Sequence, residues 1–176
     1  PHLESGKPAL TLGLGAEEKQ VLREFFLLSS KRTIFACNVA EDELAGAVDN
    51  PEAHPMVSKV QGLAADSHGA EAVVISAYVE EELISLEPGE AAELLAEMGV
   101  SDSGVSALIK SVYHLLGLHT FFTTRLKETR AWTIVAGNKA PAAAGVIHTD
   151  FERGFIAAEV CTYDELVAAG SKAAAR

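Results

Sequence analysis

Two apolar runs, Thr33-Ile34-Phe35-Ala36-Cys37 and Ala72-Val73-Val74-Ile75, each follow a helix-period stretch, and each leads into a small polar residue, Asn38 and Ser76. Unbroken apolar runs of this kind suit strands covered on both faces. Strands that alternate with helices imply a parallel sheet, because a helical crossover returns the chain to the same end. Ligands of such sheets bind beyond the carboxyl ends of the strands. Asn38 and Ser76 would both occupy such ends. The pattern therefore predicts an α/β fold, a parallel sheet with flanking helices, and a place where its chemistry belongs.

The helical stretches are 16–30, 56–67, 90–98 and 104–116. In the first, Val21, Phe25 and Leu28 recur at helical spacing. Phe26 and Leu27 widen that stripe, as for a helix packed on a sheet, and Glu17 and Glu18 sit where the helix dipole favours acid. In the second, Val57, Val60 and Ala64 share a face, and His68-Gly69 supplies the stop. Ser103 caps the last helix, whose stripe runs Val105, Leu108, Ile109, Val112, Leu115 and Leu116. Asp42 to Pro55 is polar and turn-rich, which predicts a loop.

At Gly117-Leu118 the texture changes. Residues 119–136 are rich in Thr, aromatic and β-branched residues, with Lys127-Glu128 as a turn, which predicts a hairpin. A helix over 141–149 follows, with Pro141 at the favoured first position. Phe155 to Cys161 predicts a third strand and Tyr163 to Ala169 a short helix. Hairpin, helix and strand begin a small α+β domain of the β-grasp kind, which needs a further strand. The expected organisation is a connector over 1–15, a first domain over 16–117 and a C-terminally incomplete second domain over 118–176.

The formal net charge of −11 argues against a protein that coats nucleic acid, while leaving room for a local basic patch. Cys37 and Cys161 lie far apart in apolar runs and form no C-x-x-C, which points to buried, reduced thiols in a cytoplasmic protein rather than a disulfide or a thiolate metal site. No stretch approaches the roughly 20 apolar residues of a membrane-spanning helix. His148 with Asp150 offers too few ligands for a metal, and the segment reads better as a helix end with local hydrogen bonds.

Asn38-Val39-Ala40-Glu41 carries the sharpest chemistry. A carboxamide can donate to a purine N7 and accept from an adenine N6, or pair its donors with N7 and O6 of guanine. A carboxylate three residues on suits the N1–H and amino group of guanine. Glu41 is one methylene longer than an Asp at that place, which misplaces the carboxylate and weakens a guanine preference. An Asn after a strand also forms turns, and Ser76 with Ala77 also reads as an ordinary helix cap. No G-x-x-x-x-G-K-[ST] phosphate loop occurs in the sequence.

The second half resembles a known family. Arg130-Ala131-Trp132-Thr133-Ile134, followed by Ile147 to Ile156 (I-H-T-D-F-E-R-G-F-I), looks like the TGS domain of the YchF / Obg-like ATPases. Asn38-Val39-Ala40-Glu41 is similar to that family's N-x-x-E motif, and Ser76-Ala77 with Glu80 to its second base-contacting turn. Leu3 to Ala9 resembles the segment where a coiled-coil insertion rejoins the G domain. The resemblance implies a part of a ribosome-associated P-loop ATPase that prefers ATP to GTP, with Asn38, Val39 and Glu41 on one side of the base and Ser76 and Ala77 on the other. It implies ATP with Mg²⁺ as ligands of the whole protein, although the phosphate loop, the Mg²⁺ ligands and the coiled coil have no counterpart in this sequence. On that reading the chain alone would turn over no ATP.

The alternative is a module that binds the ribosome (its large subunit) or RNA through the second domain. Arg125, Lys127, Arg130, Lys139 and Arg153, together with His148, give that domain a local basic excess. Trp132 and Phe122 could offer a stacking face, with a core position as the other reading of Trp132.

Overall fold

The computed structural model describes residues 1–66, 70–125 and 127–175. The expected His68-Gly69 helix stop lies outside them. The chain divides into two compact units, Pro1–Gly117 and Leu118–Arg176. It is a mixed α/β protein, with one parallel and one antiparallel strand pair.

In the first unit, β1 (Ile34–Asn38) pairs in parallel with β2 (Glu71–Ile75), Asn38 opposite Ile75. The helices are α1 (Ala16–Glu24), α2 (Glu41–Asp49), α3 (Pro55–Asp66), α4 (Ala77–Ile84), α5 (Pro88–Glu97) and α6 (Gly104–Leu116). The core gathers Val39, Leu44, Ala47, Val57, Val79 and Val100 from the strand end, from α2, α3 and α4, and from the turn after α5. Ser103 Oγ accepts the Ser106 N–H to start α6, and Gly117, at φ 63, ends it in the left-handed region that glycine adopts without penalty. Glu71 ties β2 to α6, accepting from Ser111 Oγ and pairing with His114 Nδ1 at 2.6 Å.

Three expectations for this unit are corrected. Asp42–Pro55 is helical for most of its length. Glu41, Asp42 and Glu43 occupy the first turn of α2, where acids complement the dipole, and Leu44 and Ala47 are buried one turn apart. Asn50 and His54 interrupt the helical stretch, each the residue before a proline, where helical backbone is disfavoured. The first helix stops at Glu24, not 30. Phe26 takes φ 51, and Phe25, Phe26 and Leu28 are exposed rather than packed on the sheet. The strands are half-buried rather than fully covered, since each has a single paired edge within the described residues.

In the second unit, β3 (Leu118–Thr124) and β4 (Thr129–Val135) form the antiparallel hairpin, closed by Arg125 N–H donating to Glu128 O at 2.8 Å. Then come α7 (Ala140–Ile147), α8 (Thr149–Arg153) and α9 (Tyr163–Ala169). The expected strand at Phe155–Cys161 does not form. The segment has no regular structure, with Ile156 94% and Val160 88% exposed and Cys161 also exposed, so that thiol is not buried as expected. A β-prone run becomes a strand only when its N–H and C=O groups find a partner, and the described residues supply none.

Candidate functional site

The parallel pairing carries β1 and β2 out of the sheet side by side. Val39 N–H donates to Ile75 O at 2.9 Å, one residue beyond the last register pair. Val39 is buried and Asn38 exposed, as strand alternation requires. After Ile75 the chain turns at Ser76 into α4. The first N–H groups of any helix lack an intrahelical acceptor. Ser76 stands at the N-cap, yet its side chain makes no capping bond. The acceptor comes from the neighbouring strand instead, where Asn38 Oδ1 takes the Ala77 N–H at 2.8 Å across 39 residues of sequence. Asn38, Val39, Ser76 and Ala77 are thus brought together.

That bond fixes the Asn38 amide, because a backbone N–H needs the oxygen. The Nδ2 group is left facing outward with two donors and no acceptor. Oδ1 keeps a second lone pair beside the one given to Ala77, so the side chain can still donate to a purine N7, which adenine and guanine share, and accept from an amino group. The Ala77 N–H is likewise engaged. Ser76 Oγ is buried, with the residue 1% exposed, and has no hydrogen-bond partner.

Glu41 begins α2 and is exposed. Glu82 first and then the Glu41 charge raise the Tyr78 phenol above the usual tyrosine range. Tyr78, 58% exposed in the first turn of α4, borders the strand ends, and the reading of the sequence missed it. The available signal was an aromatic residue two places after Ser76. Glu80 has a different job. Its Oε1 accepts the Gly104 N–H at 2.6 Å and so caps α6. The neighbourhood suits a neutral ring better than a phosphate. Glu41, Asp42 and Glu43 fill the α2 N-terminus, where a bare helix end would attract an anion. The turn thus presents the Asn38 amide donors beside carboxylates, a setting that disfavours a phosphate.

The second candidate surface is only partly assembled. Arg125 and Lys127 sit in the hairpin turn, and Lys172 joins them by donating its ammonium to Thr124 O. Arg130 lies over the Trp132 ring, 4.5 Å from its centroid, and Trp132 Nε1 donates to Thr123 Oγ1 at 2.8 Å. Lys139 stands at the N-cap position of α7, after β4, without a capping bond, and Arg153 ends α8. Arg125, Lys127, Arg130, Lys139 and Arg153 are all exposed, spread over the hairpin turn, β4 and the ends of two helices. Phe122 pairs with Ala131, and Trp132 with Phe121. Side chains alternate between faces, so Phe122 and Trp132 point to opposite sides of the hairpin and cannot make a shared stacking face. Trp132 is half-buried beneath Arg130, whereas Phe122 is 62% exposed. His148 Nδ1 accepts the Asp150 N–H at 3.2 Å, a local cap for α8. No group of three or more metal-ligating side chains occurs among the described residues.

Residues 118–176 match the family described as "YchF-GTPase_C: Protein of unknown function (DUF933)". The chain is 43% identical over 173 residues to the ribosome-binding ATPase YchF of Bacillus subtilis, covering 98% of this chain and 46% of that protein. It is 39% identical over 167 residues to the Haemophilus influenzae protein of the same name, covering 95% of this chain and 44% of that protein. Its fold matches the structure of the Schizosaccharomyces pombe YchF GTPase with a TM-score of 0.73 and 28% identity, over 97% of this chain and 44% of that one. The chain thus spans somewhat under half the length of these relatives.

Proposed function

Since the chain belongs to the YchF family, we propose that its first unit is the base-reading part of a nucleotide-hydrolysing G domain and its second unit a TGS domain that faces the ribosome. The observation that carries the nucleotide reading is the Asn38 Oδ1 to Ala77 N–H bond at 2.8 Å. It joins the carboxyl ends of two parallel strands and turns two donors outward at the place where α/β sheets bind ligands. Asn38 would donate to N7, and Val39 and Ala77 would line the ring. Glu41, too long to clasp the guanine donors well, would leave ATP preferred over GTP. In the whole protein, ATP with Mg²⁺ would be hydrolysed, the metal and a phosphate loop stabilising charge on the transferred phosphoryl group. The residues of this chain would orient the base only.

The energetics set the scale. Two or three hydrogen bonds to a base contribute about 0.5–1.5 kcal/mol each, and millimolar affinity corresponds to about 4 kcal/mol. The chain alone should bind adenine nucleotides at millimolar concentration or more weakly, and should not turn over ATP. Titration with a fluorescent ATP analogue, using Asn38→Ala as control, tests this. ATP hydrolysis that survives rigorous purification and falls with Asn38→Ala would refute it.

Ribosome or RNA binding through the second unit is supported by an asymmetry of charge. Residues 118–176 hold seven Lys/Arg against six Asp/Glu, whereas residues 1–117 hold seven against nineteen. The turn cations, with Phe122 beside them, would meet RNA phosphates and bases in a cytoplasmic setting. Co-sedimentation with ribosomes should weaken steeply between 50 and 200 mM salt, on the order of tenfold or more for a few phosphate contacts. Binding indifferent to salt, or to Arg125→Ala with Lys127→Ala, would exclude this surface.

A further inference from the structure

Neither reading uses the helices that follow the base-reading turn. Between α4, α5 and the start of α6 lies an open groove of about 630 Å³, floored by Leu83, Ile84, Ala92, Leu95 and Val105. Ile84 is 86% exposed and Val105 43%, and α6 continues the apolar surface outward through Ile109 and Leu116, each 53% exposed. Val105, Ile109 and Leu116 fall on one stripe of that helix. A contiguous apolar surface of this kind marks an interaction site, where scattered exposed side chains would not.

The rim decides what could fill it. Residues 77–110 carry eight Asp/Glu and a single basic residue, Lys110, which is already paired with Asp102. Glu80 and Asp102 line the groove itself, and Glu81, Glu87, Glu90 and Glu93 are exposed on the two helices that form it, α4 and α5, or at their ends. We propose that this groove docks a basic, amphipathic α-helical segment of a partner protein. Its apolar stripe would seat on Ile84, Ala92, Leu95 and Val105, with its Lys and Arg residues meeting the acidic rim. Helix-in-groove recognition needs such an apolar trough, and opposite charges at the rim set orientation and speed of encounter. Nucleic acid is repelled by the same rim, and a second copy of the chain would bring acid against acid.

The test uses the full chain and two synthetic peptides of about 18 residues, roughly five helical turns. One carries Leu at helical spacing with Lys elsewhere. The other has the same composition with the order scrambled so that no stripe forms. The patterned peptide should bind at least about tenfold more tightly, a difference of about 1.4 kcal/mol, and should shift the amide resonances of Ile84, Ala92, Leu95 and Val105. Ile84→Ser and Ala92→Arg, both at exposed positions, should each weaken the patterned peptide severalfold while leaving the thermal melt unchanged. Equal binding of the scrambled peptide would reduce the effect to diffuse charge and overturn the proposal. So would unaltered binding by both variants, or self-association of the free chain that protects these same residues.

Discussion

Replacing Gly104 with Ala tests how tightly α6 seats behind the base-reading turn. A Cβ built at Gly104 would lie 2.8 Å from Ile75 Cγ1 and 3.0 Å from both Ile75 Cα and Ile75 Cβ. The backbone atom cannot swing away as a side chain would, so α6 or the end of β2 must move. Ile75 O also accepts the Val39 N–H, so a shift there loosens the bonds that hold Asn38 beside Ala77. Overpacking of this kind costs about 1–3 kcal/mol. At roughly 4 °C per kcal/mol for a unit of this size, Tm should fall by about 4–12 °C. Gly62→Ala is the control. Gly62 lies inside α3 with nothing within 4 Å of the added carbon, so the better helix former should stabilise by about 0.5–1 kcal/mol. The assay is a far-ultraviolet circular dichroism melt of both variants. Equal shifts of the same sign, or a Gly104→Ala protein as stable as the parent, would show that the close approach of α6 to Ile75 is not there.

Ser76→Ala should be neutral or stabilising by up to about 1 kcal/mol in urea titration, because it removes a buried hydroxyl that has no partner. A loss of more than about 1 kcal/mol would mean the hydroxyl is satisfied. Ser111 and then His114 bond the Glu71 carboxylate and hold it below the usual glutamate range. A depressed carboxylate stabilises the fold above its unfolded value, and that stability is lost as pH falls through the lower folded value. The first unit should therefore lose stability on acidification below about pH 4, and Glu71→Gln should flatten that part of the curve. An unchanged slope in the variant would exclude the Glu71 contribution.

The strands, α3 and α6 were legible because each states its own signals: an unbroken apolar run, a repeating face, a Ser103 cap and a Gly117 stop. The end of α1 was not legible. Phe26 adopts a left-handed backbone at φ 51 with no glycine to announce it. The α2 helix was hidden because its small apolar face, Leu44 and Ala47, is short and set among acids that also suit loops. Phe155–Cys161 shows the converse failure, with strand chemistry and no partner. At the site, the residue types at each strand end could be read directly. The bond between Asn38 and Ala77 could not, because it joins positions 39 apart and depends on the parallel register. The same bond fixes which end of the Asn38 amide is oxygen and uses one of its two lone pairs.

The most direct test of the base-reading turn is a comparison of adenosine, ATP and uridine by amide chemical-shift titration of the chain. Adenosine and ATP should bind with similar millimolar affinity, within about a factor of three, because the base alone is held. The shifts should centre on Asn38, Val39, Ala77 and Tyr78, uridine should produce none of them, and Asn38→Ala should abolish them. ATP binding far tighter than adenosine, or shifts that persist in Asn38→Ala, would contradict the assignment of this turn to the purine.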